Sequence, residues 1–181
     1  MKNIALIAFV LTCAAQWFVP ANMIWQREHI LDAGVAYKFK TAPVDPSDPF
    51  RGKYVQLWFE NNSVALRDTQ LQWNSGEDVY LTLGVDSAGY AVFTDALKIP
   101  PVEGDYLQAK VSYVDFSTPR MMWLILPFDR FYMEETRAPK AEQQYNEASR
   151  DTSKVTYAVV KINAGQAVLE DVKIDGVSLR N

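Results

Sequence analysis

The chain has very few of the side chains that carry common enzyme chemistry. Its 181 residues include one cysteine and one histidine. Cys13 lies in an uncharged segment near the amino terminus, so the rest of the chain has no disulfide and no thiol chemistry. His29 is alone, so a Ser-His-Asp triad and a multi-histidine metal site both lack members. We therefore expect no metal and no cofactor, and the 13% aromatic content suits a fold stabilised by packing.

The sequence also lacks an excess of positive charge. It has 18 Lys and Arg against 22 Asp and Glu, so the formal net charge is −4. A mildly acidic protein is a poor nucleic-acid binder, so we expect no nucleic-acid partner. The adjacent acidic pairs at residues 134–135 and 170–171 do not predict an acid/base couple either, because neighbours on a strand point to opposite faces.

The segment from Asn3 to Gln26 has no charged side chain. As a helix it would be about 36 Å long, enough to cross a hydrocarbon core of about 30 Å. We predict a membrane anchor over residues 1–26 that contacts the bilayer through residues 3–26, a linker over residues 27–34, and one domain over residues 35–181. Lys2 precedes the segment, which predicts a single-pass protein of the cell inner membrane with its domain on the periplasmic (extracytoplasmic) side.

A cleaved signal peptide is the alternative interpretation of this segment. Lys2 would be its basic region, residues 4–12 its apolar region and residues 13–15 its cleavage site. The apolar run continues to Trp25, however, and cleavage would leave an apolar new amino terminus. A lipoprotein signal at Cys13 is less favoured, because Thr12 stands where a small Gly or Ala is expected. We therefore prefer the anchor.

The remaining chain is mostly patterned with period two. Residues 79–93 predict a hairpin with its turn at residues 86–89, and residues 155–174 predict a second hairpin in which Gly165 supplies a positive φ. Residues 106–114 predict a half-solvated strand, with Leu107, Ala109, Val111 and Tyr113 on its buried face. Residues 121–126 are apolar on both faces, which predicts a buried central strand ended by Pro127.

Only residues 139–149 favour a helix beyond the anchor, with Ala141, Tyr145 and Ala148 on one face, and we expect a short helix or an ordered loop there. Turn residues recur about every ten positions, as in sandwiches and barrels. The predicted fold class is therefore mainly β: one N-terminal transmembrane helix, then an antiparallel β-sandwich or barrel-like domain with one short helix.

A proline-rich segment precedes the most distinctive motif. Prolines at 43, 46 and 49 impose an extended, turning path before a strand that starts at Lys53. In this region the chain resembles the family named for its Gly-Asp-Tyr-x-x-Leu-x-Tyr motif, GDYXXLXY. Gly52, Tyr54 and Leu57 match the motif directly, whereas Lys53 replaces the Asp and Phe59 replaces the final Tyr.

Two later segments extend the resemblance. Residues 128–135 resemble the family's Arg-Tyr-Phe-x-x-Glu segment, and residues 155–179 resemble its terminal strands. The resemblance implies a membrane-associated protein of unknown function whose partner is a multi-spanning membrane protein. It also leads to a set of candidate binding residues: Arg51, Gly52, Lys53, Tyr54, Arg130 and Glu134.

Arg51 has two possible roles. It precedes Gly52 at the start of a strand, where it can pair with Asp45, Asp48, Glu134 or Glu135 and pin the proline-rich segment. A ligand-binding role together with Arg130 is the alternative. We favour the structural role, so Arg51→Ala should lower thermal stability more than it changes any binding.

These observations lead to a binding or accessory domain that acts with another membrane protein. A membrane-bound hydrolase that uses a serine with Lys53 or another lysine is an alternative, although Ser47 is the only serine between the anchor and Arg51. A β domain that binds a small apolar ligand is a further alternative.

Overall fold

The N-terminal segment is a long helix joined almost directly to the first strand. The computed structural model describes residues 2–43, 54–68, 71–115 and 118–180. Helix α1 spans Lys2–Ala33, and strand β1 begins at Val35, so only Gly34 separates them. Residues 27–34, predicted as a linker, are thus the last turns of α1 and one bend. Pro20 lies within the helix without ending it.

Apolar side chains of α1 face solvent rather than the domain. The exposed ones are Ile4, Leu6, Ile7, Phe9, Leu11, Trp17, Phe18, Val19, Met23, Ile24 and Trp25. No helix within the described part of the chain combines the length and the apolarity that membrane crossing requires. The predicted transmembrane crossing is therefore not supported, although the predicted helix is present.

Twelve strands and one further helix follow α1 in the residues that the structure describes. The strands are β1 Val35–Ala42, β2 Tyr54–Gln56, β3 Trp58–Phe59, β4 Ser63–Ala65, β5 Asp78–Val85, β6 Ala91–Leu97, β7 Tyr106–Asp115, β8 Met121–Ile125, β9 Arg130–Tyr132, β10 Thr156–Asn163, β11 Gln166–Ile174 and β12 Val177–Ser178. Helix α2 spans Ala138–Arg150. The mainly β class is confirmed.

The strands form antiparallel sheets. One sheet has the order β12-β11-β10-β1-β3, another has the order β4-β8-β7-β5-β6, and β2 pairs with β9. In the second sheet the edge strands β4 and β6 approach each other, and the Asn61 side-chain amide donates to the carbonyl of Ala91 at 3.3 Å. This curvature makes the sheet nearly closed and barrel-like, as the sequence predicted in outline.

Aromatic rings occupy the centre of the core. Phe39 of β1 lies with its ring centroid 5.0 Å from that of Phe128 and 5.9 Å from that of Phe93. Phe59 packs edge-on against Phe128 at 5.2 Å. Tilted and edge-to-face pairs are favoured arrangements for aromatic rings, so this cluster joins the two five-stranded sheets.

Both predicted hairpins are confirmed. β5 pairs with β6 around a turn in which Asp86 Oδ1 accepts the N–H groups of Ala88 and Tyr90 at 2.9 and 2.8 Å. β10 pairs with β11, and Gly165 has the predicted positive φ of 81°. Gly165 also joins the sheets, because its carbonyl accepts the N–H of Gln108 of β7 at 2.8 Å.

Two predicted burial patterns are wrong. Leu107, Ala109 and Val111 are buried as expected, but Tyr113 is 53% exposed, because a bulge after Val111 shifts the register of β7 against β8. β8 lies between β4 and β7 as a central strand should, yet Met121 and Trp123 are only half-buried and Ile125 is 55% exposed, so this face of β8 is only partly covered.

The predicted helix is confirmed as α2, which packs against β2 and β10. Its buried residues are Ala138, Ala141, Tyr145 and Ala148. Tyr145 is the only large side chain among them and is fully buried. Its hydroxyl donates to the carbonyl of Ala42 at 3.4 Å.

Candidate functional site: two adjoining clefts beside helix α1

The two segments that resemble the family motifs lie side by side in the structure. Strand β2 contains the motif residue Tyr54, and strand β9 contains Arg130. The two strands are antiparallel, with Tyr54 opposite Tyr132 and Gln56 opposite Arg130. Two segments that lie more than 70 residues apart in the chain therefore form one two-stranded unit. Arg51, Gly52 and Lys53 lie outside the described residues.

The motif residues of β2 and β3, and Leu57 between them, divide between the core and the surface. Leu57 and Phe59 are buried, so the apolar positions of the motif serve packing. Tyr54 is only partly buried, and its ring lies 5.6 Å from that of Tyr132. Phe59, which replaces the family's final tyrosine, belongs to the aromatic core and has no hydroxyl to satisfy there.

Arg130 is held by several neighbours at once. Its guanidinium carbon lies 5.1 Å from the centroid of the Tyr54 ring, and its Nε is 3.8 Å from Asp129 Oδ1. A hydrogen bond with Tyr132 is the main cause that raises the pKa of Arg130, followed by the charge of Asp129. Asp129 also accepts the side-chain amide of Gln56 at 3.2 Å. These contacts fix a permanent positive charge at the surface of β9.

Arg130 lines a cleft with two arginines that the sequence did not single out. The arginine cleft, defined here by Arg27, Arg130 and Arg180, has a volume of about 390 Å³ and runs beside β9 and the start of β11. Of the described residues that line it, Asp129 alone is acidic. Arg180 also stacks over the Phe131 ring at 5.1 Å. In the part of the chain that the structure describes, three arginines and one aspartate line the cleft, which gives it a positive potential on a protein of net negative charge.

Arg27 reaches the cleft because α1 is firmly joined to the domain. Ile30 is buried against the sheets, and the N–H of Gly34 donates to its carbonyl at 2.9 Å. A Cβ at Gly34 would lie 2.4 Å from that carbonyl oxygen, so only glycine fits this junction. A smaller cleft of about 190 Å³ lies where α1 meets β11, and Arg27 lines it too.

Glu134 lies away from the Tyr54–Arg130 contact. It is exposed and lines a separate cleft of about 140 Å³ with Arg137, Tyr132 and Arg180. Its backbone carbonyl accepts the N–H groups of Arg137 and Ala138, both at 3.0 Å, at the start of α2. The structure therefore assigns Glu134 a position next to the arginine cleft but no contact with Arg130.

A second large cleft adjoins the first. The apolar cleft, defined here by Ala109, Ile125, Leu126, Pro127 and Ala167, has a volume of about 380 Å³. Pro127 and Ala167 line both clefts. Two charged residues also line the apolar cleft, namely Asp78 and Lys110, which pair with each other at 2.9 Å. The two clefts thus offer a cationic region and an apolar region side by side.

The described residues contain no group of three or more His, Cys, Asp or Glu that could hold a metal ion. His29 stacks on Trp25, with ring centroids 5.8 Å apart, on α1. The clefts are suited to binding by charge and by apolar contact.

Sequence reasoning found Arg130 and Tyr54 but missed Arg27 and Arg180. Arg130 and Tyr54 were found because they lie in the two segments that resemble the family motifs. Arg27 follows the uncharged segment and Arg180 is next to the last residue, so neither lies in a motif. Only the packing of α1 against β10 and β11 brings Arg27 to the others.

Comparison with known proteins gives one match. A search of curated proteins and a search of solved structures each found none. The family model described as GDYXXLXY protein matches residues 16–172, a range that includes α1 from Gln16 onwards and most of the β domain. The chain belongs to the GDYXXLXY protein family.

Proposed function

We propose that this protein is a membrane-attached binding domain that acts with another membrane component, a multi-spanning membrane protein. Helix α1 attaches it, and the β domain presents its clefts at the membrane surface. The orientation predicted from Lys2 puts the domain on the extracytoplasmic side of the inner membrane.

The exposed apolar side chains of α1 carry this proposal. Trp17 is 79% exposed, Phe18 71% and Trp25 66%. A soluble monomer rarely leaves so many large apolar side chains in contiguous contact with water, and such surfaces mark membrane or protein interaction sites. Trp17 and Trp25 are also the residue type that accumulates at membrane–water interfaces.

The direct junction between α1 and β1 supports an accessory role. Because Gly34 alone separates them and Ile30 is buried, the domain has a fixed orientation relative to α1. A domain held in one orientation presents the same surface to every neighbour in the membrane. A flexible tether would instead let it sample many orientations.

Cell fractionation tests the attachment. We expect the wild-type chain in the membrane fraction and resistant to alkaline carbonate. The double variant Phe18→Glu/Trp25→Glu should move to the soluble fraction, because charged side chains are costly in hydrocarbon. Val102→Glu changes a fully exposed apolar residue of the β domain and should leave the distribution unchanged.

Crosslinking of a C-terminally tagged chain in living cells tests the partner. Recovery of one stoichiometric multi-spanning protein is the expected result. Protease protection of the tag then reports the side of the membrane. A wild-type chain that stays soluble would contradict the attachment, and an attached chain recovered alone would contradict only the accessory role.

A β domain that binds a small apolar ligand is the second candidate function, and the apolar cleft favours it. Its volume of about 380 Å³ falls in the range of small-molecule sites, about 300–1,000 Å³. Mass spectrometry of the purified chain should then detect a bound apolar compound. The variant Ile125→Gln should release it, whereas Ile99→Gln, at an exposed residue outside the apolar cleft, should retain it.

A further inference from the structure

We propose that the two adjoining clefts bind one phosphate-bearing lipid, with the phosphate group in the arginine cleft and an acyl chain in the apolar cleft. The proposal rests on the binding function above and deepens it by naming the ligand class. It does not require that α1 crosses a membrane.

The charge of the arginine cleft selects an anion. Asp129 already pairs with Arg130 at 3.8 Å and accepts the Gln56 amide. Within the described part of the chain, Arg27 and Arg180 have no carboxylate within 4.0 Å. Among the residues that the structure describes, these two guanidinium groups therefore stand next to a cavity without a carboxylate partner, and the cavity is large enough for a phosphate group.

Arginine suits phosphate better than a point charge does. Its planar guanidinium donates two parallel N–H bonds to two oxygens of one phosphate. Stacking restricts two of these side chains, Arg130 against Tyr54 and Arg180 against Phe131, each at 5.1 Å. Restricted side chains lose less conformational entropy when a ligand binds, so the site is partly organised before the ligand arrives.

The adjoining apolar cleft distinguishes a lipid from a soluble phosphate compound. It meets the arginine cleft at Pro127 and Ala167, so one ligand can contact both. Its charged residues Asp78 and Lys110 form an ion pair with each other, so the affinity of this cleft for a ligand depends mainly on its apolar side chains. An acyl chain gains from the burial of apolar surface there, which a soluble phosphate compound lacks.

The location is consistent with a ligand that comes from a membrane. Arg27 follows the exposed Trp25 by two residues on α1. At about 1.5 Å of rise per residue, the cleft begins within about 3 Å of the apolar helix surface along its axis. A lipid whose acyl chains lie around α1 would therefore have its headgroup near the arginine cleft.

Three probes separate the two parts of the site. They are dioctanoylphosphatidic acid, dioctanoylglycerol, which is the same molecule without phosphate, and inorganic phosphate. The binding of each to the full-length chain in a neutral detergent is measured by calorimetry at constant ionic strength. We expect dioctanoylphosphatidic acid to bind at least about tenfold more tightly than either of the other probes.

Substitutions in each cleft test which residues bind the phosphate group and which bind the acyl chain. Arg130→Gln and Arg180→Gln should each weaken the phosphatidic acid and inorganic phosphate about five- to tenfold and leave dioctanoylglycerol unchanged. Ile125→Gln should weaken phosphatidic acid and dioctanoylglycerol but not phosphate. The matched controls are Arg150→Gln at the end of α2 and Ile99→Gln, which remove the same groups at exposed sites outside both clefts. If a glutamine variant fails to fold, Arg130→Lys retains the charge and should still bind.

Several results would overturn the proposal. If dioctanoylglycerol binds as tightly as dioctanoylphosphatidic acid, the site recognises apolar chains only. If inorganic phosphate binds as tightly as dioctanoylphosphatidic acid, the site is one for soluble phosphate compounds. If Arg150→Gln weakens the binding of phosphatidic acid as much as Arg130→Gln and Arg180→Gln do, the effect comes from the net charge of the protein and not from the arginine cleft. Since membrane attachment is measured separately by fractionation, loss of lipid binding with retained attachment rejects this proposal and leaves the attachment intact.

Discussion

Replacement of Tyr145 by alanine should destabilise the β domain strongly. The other buried residues of α2 are all alanines, so Tyr145 provides most of the apolar surface that fixes this helix to β2 and β10. The side chain is 0% exposed. Removal of a fully buried aromatic ring costs about 3–5 kcal/mol, because transfer free energy is lost and a cavity remains.

The variant Tyr145→Phe separates packing from hydrogen bonding. It keeps the ring and removes the hydroxyl, which is hydrogen-bonded to the carbonyl of Ala42 at 3.4 Å, to the Thr41 side chain and to the backbone of Trp58. We expect a loss of about 1 kcal/mol or less. The exposed Tyr113, whose ring stacks on Trp123 at 5.7 Å, provides a matched alanine control with an expected loss of about 1 kcal/mol.

Urea unfolding of the full-length chain in neutral detergent, followed by tryptophan fluorescence, measures these differences. With a slope of about 2 kcal/mol per molar urea, Tyr145→Ala should lower the midpoint by about 2 M. If Tyr145→Ala lowers the midpoint no more than Tyr113→Ala does, α2 is not held by Tyr145 and the packing argument is refuted.

Three further predictions concern the junction, the tyrosines and a turn. Gly34→Ala should lower the melting temperature by several degrees, about 1–3 kcal/mol, because the new Cβ would lie 2.4 Å from the carbonyl oxygen of Ile30; an unchanged melting temperature would contradict this. Burial is the main cause that raises the pKa of both Tyr37 and Tyr145 to about 12 from 10.0. The folded state holds these protons more tightly than the unfolded state, so the stability that they contribute is fully present below pH 10 and is lost as pH rises toward 12. Phenolate absorbance should report the ionisation, and the urea midpoint should fall over the same pH range. Asp86→Ala should cost about 1 kcal/mol in the same urea assay, since its carboxylate accepts two backbone N–H groups of its turn; no loss would show that the turn forms without them.

The elements that the sequence predicted well are those with local causes. The β10–β11 hairpin depends on a turn residue at Gly165, and helix α2 depends on the spacing of Ala141, Tyr145 and Ala148. Each of these signals lies within about ten residues of its effect. Strand burial was predicted less well, because the bulge that exposes Tyr113 depends on how β7 pairs with β8.

The candidate site depends on contacts between distant segments, which no local pattern reveals. The resemblance to the family pointed to Tyr54 and Arg130, and the pairing of β2 with β9 explains why both segments belong together. Arg27 and Arg180 come from opposite ends of the chain. An exposed arginine outside a motif is usually only solvated, so its sequence context gives no reason to single it out.

The junction at Gly34 connects the proposed attachment through α1 to the clefts. Gly34 is buried and is the one residue between α1 and β1, so α1 has little freedom to move relative to β1. The lipid or protein that surrounds the apolar part of α1 therefore also lies close to Arg27. If lipid surrounds α1, the headgroup layer and the arginine cleft lie at the same level, and phosphate-bearing headgroups reach the cleft without diffusion from solution. If another protein surrounds it, acidic groups of that protein would meet the same arginines. The surroundings of α1 and the ligand of the arginine cleft are therefore coupled, and substitution of Arg130 or Arg180, which are not on α1, separates them.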